Sequence, residues 1–282
     1  MKRISLAIAA SILSLSLLAG CGGSKPAAPA AEATKTDAPK KITLKVGATP
    51  VPHAEILKAV APLAEKEGIE LKVVEFTDYV KPNTALADKE LDANFFQHVP
   101  YLTDFASSRK LDLVSAGPVH LEPLGLYSTK VKDLKEIADG ATITIPADAT
   151  NAGRALNLLA QNGLIKVKDG VGVKATTKDI TENPKKLDIK LLDAEQLPRT
   201  LQDAAAAVIN GNYYLEAQKN LKLDAKTLAR ESAKDNPYAN IIAVRKGDES
   251  RPEIKALMKL LQSEDVKKFI ESKYNGTVIP AF

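Results

Sequence analysis

Three short stretches hold most of the residues able to recognise a small molecule. The first is aromatic. Of seven tyrosines and six phenylalanines, six fall between Phe76 and Phe105, and Asn94-Phe95-Phe96-Gln97-His98-Val99-Pro100-Tyr101 is the densest run. Successive residues of a strand point to opposite faces, so only one of Phe95 and Phe96 can enter the packing beneath a sheet. Phe95, with Phe76 and Phe105, reads as core. Phe96, with Tyr79, His98 and Tyr101, reads as the wall of a cleft. The run passes from a strand end into a helix start, which is where open α/β sheets bind ligands.

The second stretch is Ile145-Pro146-Ala147-Asp148-Ala149-Thr150-Asn151-Ala152-Gly153-Arg154. Thr150 or Asn151 would cap a helix there, placing Arg154 in its first turn. A guanidinium beside free backbone N–H groups makes a carboxylate site. The plainer reading pairs Arg154 with Asp148 or leaves it in solvent. The third stretch is asparagine: Asn210-Gly211-Asn212-Tyr213 and Asn236-Pro237-Tyr238-Ala239-Asn240. A carboxamide offers both a donor and an acceptor and so suits a zwitterionic amino acid. Asn-Gly is equally a turn signal with no ligand involved.

Signatures of turnover are missing. No phosphate-binding G-x-x-x-x-G-K-[ST], dinucleotide G-x-G-x-x-G, zinc-protease H-E-x-x-H or hydrolase G-x-S-x-G occurs. His53, His98 and His120 lie far apart in the chain, and no carboxylate spacing marks an acid–base pair. No catalytic residue, metal site or cofactor is expected. The formal charge is +4 without a long basic run, so nothing points to nucleic acid.

The elements that must carry these stretches alternate. Ile42-Leu44-Val46 and Ile69 to Phe76 read as strands around a helix opening at Pro52, a βαβ unit with parallel strands. Further strands are expected at Leu91–Phe95, Leu113–Ala116, Leu124–Ser128, Thr142–Ile145, Leu187–Leu192, Ala205–Ile209 and Ala239–Val244. Helices are expected at Pro82–Lys89, from Pro100, and at Val131–Ala138, Thr150–Asn162, Gln196–Asp203, Pro252–Gln262 and Asp265–Tyr274. Alternation of this kind implies an α/β fold. Two blocks and a returning C-terminal segment predict two lobes, residues 41–119 with 236–282 and residues 120–235, joined by two crossovers near Val119 and Asn236. A small ligand would bind between them.

The N-terminus has its own logic. Lys2 and Arg3 precede an apolar run from Ile4 to Ala19 that ends in Leu18-Ala19-Gly20-Cys21, the pattern of a secretory signal peptide over residues 1–20. Cys21, the one cysteine of the chain, stands where a bacterial lipobox places the lipidated residue. Residues 21–40, rich in alanine, proline and polar side chains, cannot bury a core and read as a disordered tether.

Together these segments resemble the NlpA/MetQ family of methionine-binding lipoproteins. The carrying residues are Val46-Gly47-Ala48-Thr49-Pro50-Val51-Pro52-His53-Ala54-Glu55-Ile56-Leu57, Asp92 through Leu102, Thr150 through Leu156, Asn210 through Tyr213 and Asn236 through Asn240. The resemblance implies a type II-like, two-lobed periplasmic-binding-protein fold. It implies a receptor that binds methionine (L, D or both), carries a palmitate-type anchor on Cys21, and works with the permease and ATPase subunits of an ABC importer. The expected location is the extracytoplasmic face of the cell membrane, on the periplasmic side where an outer membrane exists. Another apolar amino acid or a methionine-containing dipeptide is the alternative ligand. Residue by residue, the resemblance puts the ligand carboxylate on Arg154 with help from Asn151. It encloses the side chain with Tyr79, Phe96, His98 and Tyr101, and sets Asn210 with Asn236 or Asn240 at the polar end. The chain departs from the family pattern at Ala147, Ala149 and Tyr214.

Overall fold

The computed structural model describes residues 41–282. The expected leader, Cys21 and the tether to Lys40 lie outside the described residues. Among the described residues no helix is long and apolar enough to cross a membrane.

The first lobe opens with β1 (Ile42–Ala48), α1 (Glu55–Lys66) and β2 (Ile69–Glu75), followed by α2 (Lys81–Ala87), β3 (Ala93–His98), α3 (Val99–Arg109) and β4 (Leu113–Leu121). In β1, Leu44, Val46 and Ala48 are buried while Thr43 and Lys45 face water, the period of two that the sequence shows. In α1, Ile56, Leu57, Val60 and Ala64 are buried along one stripe. β1 pairs in parallel with both β2 and β3, as a βαβ unit requires.

The chain then builds the second lobe with β5 (Gly125–Ser128), β6 (Thr142–Pro146), α4 (Ala149–Gln161), β7 (Lys166–Val167), β8 (Ile180–Glu182), β9 (Asp188–Leu192), α5 (Leu197–Thr200), β10 (Ala206–Ile209), α6 (Gly211–Asn220) and β11 (Lys226–Arg230). It returns to the first lobe as β12 (Ala239–Arg245), α7 (Pro252–Leu261), α8 (Glu264–Tyr274) and β13 (Ile279–Pro280). The first sheet has the order β13-β4-β12-β3-β1-β2 and the second β11-β5-β10-β6-β9. The chain passes between the sheets twice, at residues 122–124 and 231–238. Leu124 and Glu231 exchange hydrogen bonds there, Glu231 N–H to Leu124 O and Leu124 N–H to Glu231 Oε2, both 2.9 Å. The two crossovers therefore lie side by side.

Several local expectations need correction. The stretch Val131–Ala138 forms only a 3₁₀ turn, Leu134–Glu136, because Ile137 leaves it in extended geometry to reach the core, where it is 1% exposed. The helix expected over Gln196–Asp203 is regular only in α5. The cap of α4 is neither Thr150 nor Asn151 but Asp148, whose carboxylate accepts the Asn151 N–H at 2.9 Å. Arg154 consequently sits in the second turn, clear of the strongest part of the helix dipole. Residues after Asn210, for which a turn is one of the two sequence readings, start α6. β11, the β7–β8 pair and β13 are not visible as alternating patterns, being short or half-buried.

Candidate functional site

Three strands, one from the first sheet and two from the second, end at one place. β3 hands over to α3 at His98, β6 to α4 at Asp148, and β10 to α6 at Asn210, so two lobes contribute three helix starts to one cleft. A closed-down cleft lies there, lined by Tyr79, Phe96, Gln97, His98, Tyr101, Glu122, Asn151, Arg154, Asn210, Gly211, Asn212 and Asn240. Eight of the nine residues expected from sequence meet in that lining. Asn236 does not. Its side chain closes a turn, donating to Ser232 O at 2.9 Å and accepting from the Tyr238 N–H at 3.0 Å, which is what Asn before proline commonly does.

The strand alternation divides the aromatic run as expected. Phe95 is fully buried in the first lobe's core, its ring 4.7 Å from that of His53. Phe96 turns the other way, 5.7 Å from Tyr79 and 6.0 Å from Tyr101. Tyr101 donates its hydroxyl to the backbone carbonyl of Tyr79 at 2.8 Å, which ties the Tyr101 ring to the segment that carries Tyr79. This end of the cavity is aromatic.

The opposite end is polar. Arg154 is 3% exposed, and Glu231 takes its Nε at 2.7 Å and its Nη2 at 2.6 Å. Nη2 also donates to Glu122 O at 3.1 Å, and the guanidinium lies 4.0 Å above the Tyr238 ring. Nη1 takes no hydrogen-bond partner among the described residues. Sequence reasoning offered Asp148 or solvent as the plain alternatives for this arginine, and neither holds. Asp148 is committed to Thr150 and Asn151 instead.

Asn151 is fully engaged. Its Nδ2 donates to Asp148, and its Oδ1 accepts from His98 Nε2 at 3.2 Å and Asn210 Nδ2 at 3.1 Å. His98 Nδ1 accepts the Tyr101 N–H at the start of α3, so the ring is a neutral tautomer with its proton on Nε2. Burial, and then the Arg154 charge, push its pKa down to about 3. Asn210 occupies the capping position of α6 without capping it, because its side chain is turned into the cavity. Forgoing a cap costs about 1 kcal/mol. Asn210 Oδ1 and Asn212 Nδ2 are buried with no partner, one acceptor and one donor.

Glu122, Gln97, Gly211 and Asn212 escaped the sequence reading as site residues, although Asn212 stands inside one of the asparagine strings. Gly211 has a steric reason to be glycine, since a Cβ there would lie 2.8 Å from Glu122 Oε2. Gly153 has another, since a Cβ would lie 2.1 Å from Val173 O and drive the 172–174 turn off α4.

The sequence model of NlpA lipoproteins matches residues 44–282. The chain belongs to the NlpA lipoprotein family. One relative in that family, the methionine-binding lipoprotein MetQ of Bacillus subtilis, is 48% identical over 244 residues, 85% of this chain and 88% of its own length. The probable D-methionine-binding lipoprotein MetQ of Pasteurella multocida is 39% identical across 99% of both chains. Among solved structures, a nutrient-binding protein from Burkholderia cenocepacia bound to methionine superposes with a TM-score of 0.80 at 47% identity, covering 85% of this chain and all of that one. The two-lobed periplasmic-binding-protein architecture is thus shared with binding proteins of this family.

Proposed function

We propose that this NlpA-family protein is the lipid-anchored receptor of an ABC importer and binds methionine between its lobes. The observation that carries the reading is the polarity of the cavity. One end offers Arg154 Nη1 and Asn212 Nδ2 as donors beside Asn210 Oδ1 and Glu122 as acceptors, and the other offers Phe96, Tyr101 and Tyr79. An α-amino acid carries its opposite charges about two bonds apart, which suits donors and acceptors set close together. An unbranched thioether suits aromatic walls, where sulfur–ring contacts contribute about 0.3–1.5 kcal/mol each.

On this reading the protein turns nothing over. It hands its ligand to the permease, and Cys21 holds it at the extracytoplasmic face of the membrane. Calorimetry with L-methionine, D-methionine, leucine, glutamine and Gly-Met provides the test, together with mass spectrometry of ligand released on denaturing purified protein. One form of methionine should bind tightest. Tighter binding of leucine or glutamine than of every methionine form would overturn the ligand assignment.

A further inference from the structure

Beneath the polar end of the cavity lies a buried group that ligand recognition alone does not explain. Glu122 is 4% exposed, with His120 Nε2 2.7 Å and His53 Nε2 3.4 Å from its Oε1. We propose that Glu122, backed by His120 and His53, is the counter-ion of the ligand's ammonium group and releases a proton when that group arrives. This rests on the amino-acid reading above.

The argument is one of charge accounting. His53 Nε2 faces Asn240 Oδ1 at 3.0 Å, and a carboxamide oxygen only accepts, so Nε2 holds a proton, while Nδ1 lies 2.7 Å from the Thr49 hydroxyl. Full burial keeps the ring's pKa down at about 4, so His53 is neutral and its Nδ1 accepts from Thr49. His120 Nδ1 is buried without a partner, and a doubly protonated ring would strand a charged N–H there. His120 is neutral too. Arg154, the remaining cation facing Glu122, is taken by Glu231. Tyr79, Tyr127 and Tyr274 complete the titratable groups around it, and all three hydroxyls are shifted upward and stay neutral.

Glu122 thus has no cation of its own. Burial, outweighing His53, the Asn212 N–H and Arg154, raises its carboxyl above the usual range. A ligand whose carboxylate meets Arg154 sets its ammonium beside Glu122, because Arg154 Nη2 already touches the Glu122 backbone. An opposite charge at about 4–6 Å lowers a carboxyl pKa by ~1–3 units. The proton then leaves Glu122 for the solvent buffer while the ligand keeps its own. Affinity is full above the ligand-free pKa of Glu122 and falls as pH drops through it.

Calorimetry of methionine binding in paired buffers of different protonation enthalpy counts the protons released. Proton release should rise toward one per methionine as the pH is lowered toward the acid end and fade as it is raised, with affinity falling by up to about tenfold per pH unit at the acid end. Glu122→Gln should bind with no buffer dependence and a flat pH profile. Difference infrared spectroscopy of the parent gives a second readout, since a protonated carboxyl band should disappear when methionine is added. Methionine binding whose heat ignores the buffer, with no such band lost, overturns the proton exchange and leaves the receptor reading intact. No methionine binding at any pH overturns both.

Discussion

Arg154 of α4 and Glu231 of the second crossover form a two-point ion pair, with Nε at 2.7 Å and Nη2 at 2.6 Å from the two carboxylate oxygens. Arg154 is buried and Glu231 partly so, 3% and 11% exposed, and the pair aims the remaining edge of the guanidinium. Arginine suits this place because its planar fork engages Glu231 through two N–H groups and still leaves Nη1 free among the described residues, which an ammonium cannot do in that geometry.

Removing the arginine should therefore have two effects. Arg154→Ala should weaken methionine binding on the order of 30-fold or more, since truncating a buried charged partner costs ~2–5 kcal/mol. It should also lower the melting temperature, because Glu231 is left buried without its cation. Arg154→Lys should restore neither in full. Calorimetry and thermal melts read the two effects separately, and a variant that binds methionine like the parent would show that the carboxylate lies elsewhere.

Side-chain selectivity should reside at the other end. Phe96→Ala should reduce affinity for methionine several-fold more than affinity for alanine, because only the longer ligand reaches the ring. Equal losses for both amino acids would assign Phe96 to packing of the lobe.

Hydroxyl groups also tie the two lobes together directly. The Tyr213 hydroxyl in α6 donates to Thr77 O at 3.1 Å, and Tyr79 Oη donates to Asn212 Oδ1. Opening the cleft must break both bonds. Tyr213→Phe should then speed ligand release by about 2- to 10-fold, the equivalent of a ~0.5–1.5 kcal/mol hydrogen bond. Stopped-flow dissociation measures this, and the ranking of amino acids should stay unchanged since Tyr213 does not line the cavity.

Acid should destabilise the fold through its histidines. All three in the chain are buried. Burial dominates each shift, taking His53 to about 4 and both His98 and His120 to about 3. Between these values and the ordinary 6.5, the unfolded chain binds more protons than the folded one. Stability therefore falls as pH drops from near 6.5 toward 4, by up to ~1.4 kcal/mol per pH unit for each histidine. The raised carboxyl of Glu122 acts in the opposite sense and offsets part of the loss. Melting curves across this range should show the decline, and His98→Asn should make it shallower.

The anchor has a direct check. Cys21→Ala should abolish incorporation of labelled fatty acid and leave the leader uncleaved or cleaved elsewhere. Undiminished labelling in that variant would place the lipid on another residue, or show that the lipobox reading is wrong.

Much of the site was legible because it follows strand periodicity. Phe95 and Phe96 separate into core and cavity by alternation alone, and His98 with Tyr101 follow from the helix start. Arg154 stood out as a cation near a helix N-terminus. Its partner did not, because Glu231 lies 77 residues away in a crossover with no pattern of its own. Glu122 and His120 belong to a strand end, where alternation does not distinguish a site carboxylate from a surface one, and His53 was hidden before α1. Asn236 was misplaced for the opposite reason. Its neighbours match the family string, but proline at position 237 commits it to a turn. The cap of α4 was missed because Asp148, Thr150 and Asn151 are all competent caps, and only packing selects among them.

The crossovers offer a different lesson to anyone who would convert this receptor into a sensor for another amino acid. Arg154 bonds to one crossover through Glu122 O and to the other through Glu231, whose carboxylate also holds Leu124. A single side chain thus rivets together the two strips of backbone about which the lobes would turn. Redesign at the guanidinium end would alter the pivot along with the recognition, so a signal that depends on lobe motion would drift with every change made there. Redesign around Phe96 and Tyr101 leaves the pivot alone, and that is where a new specificity should be written.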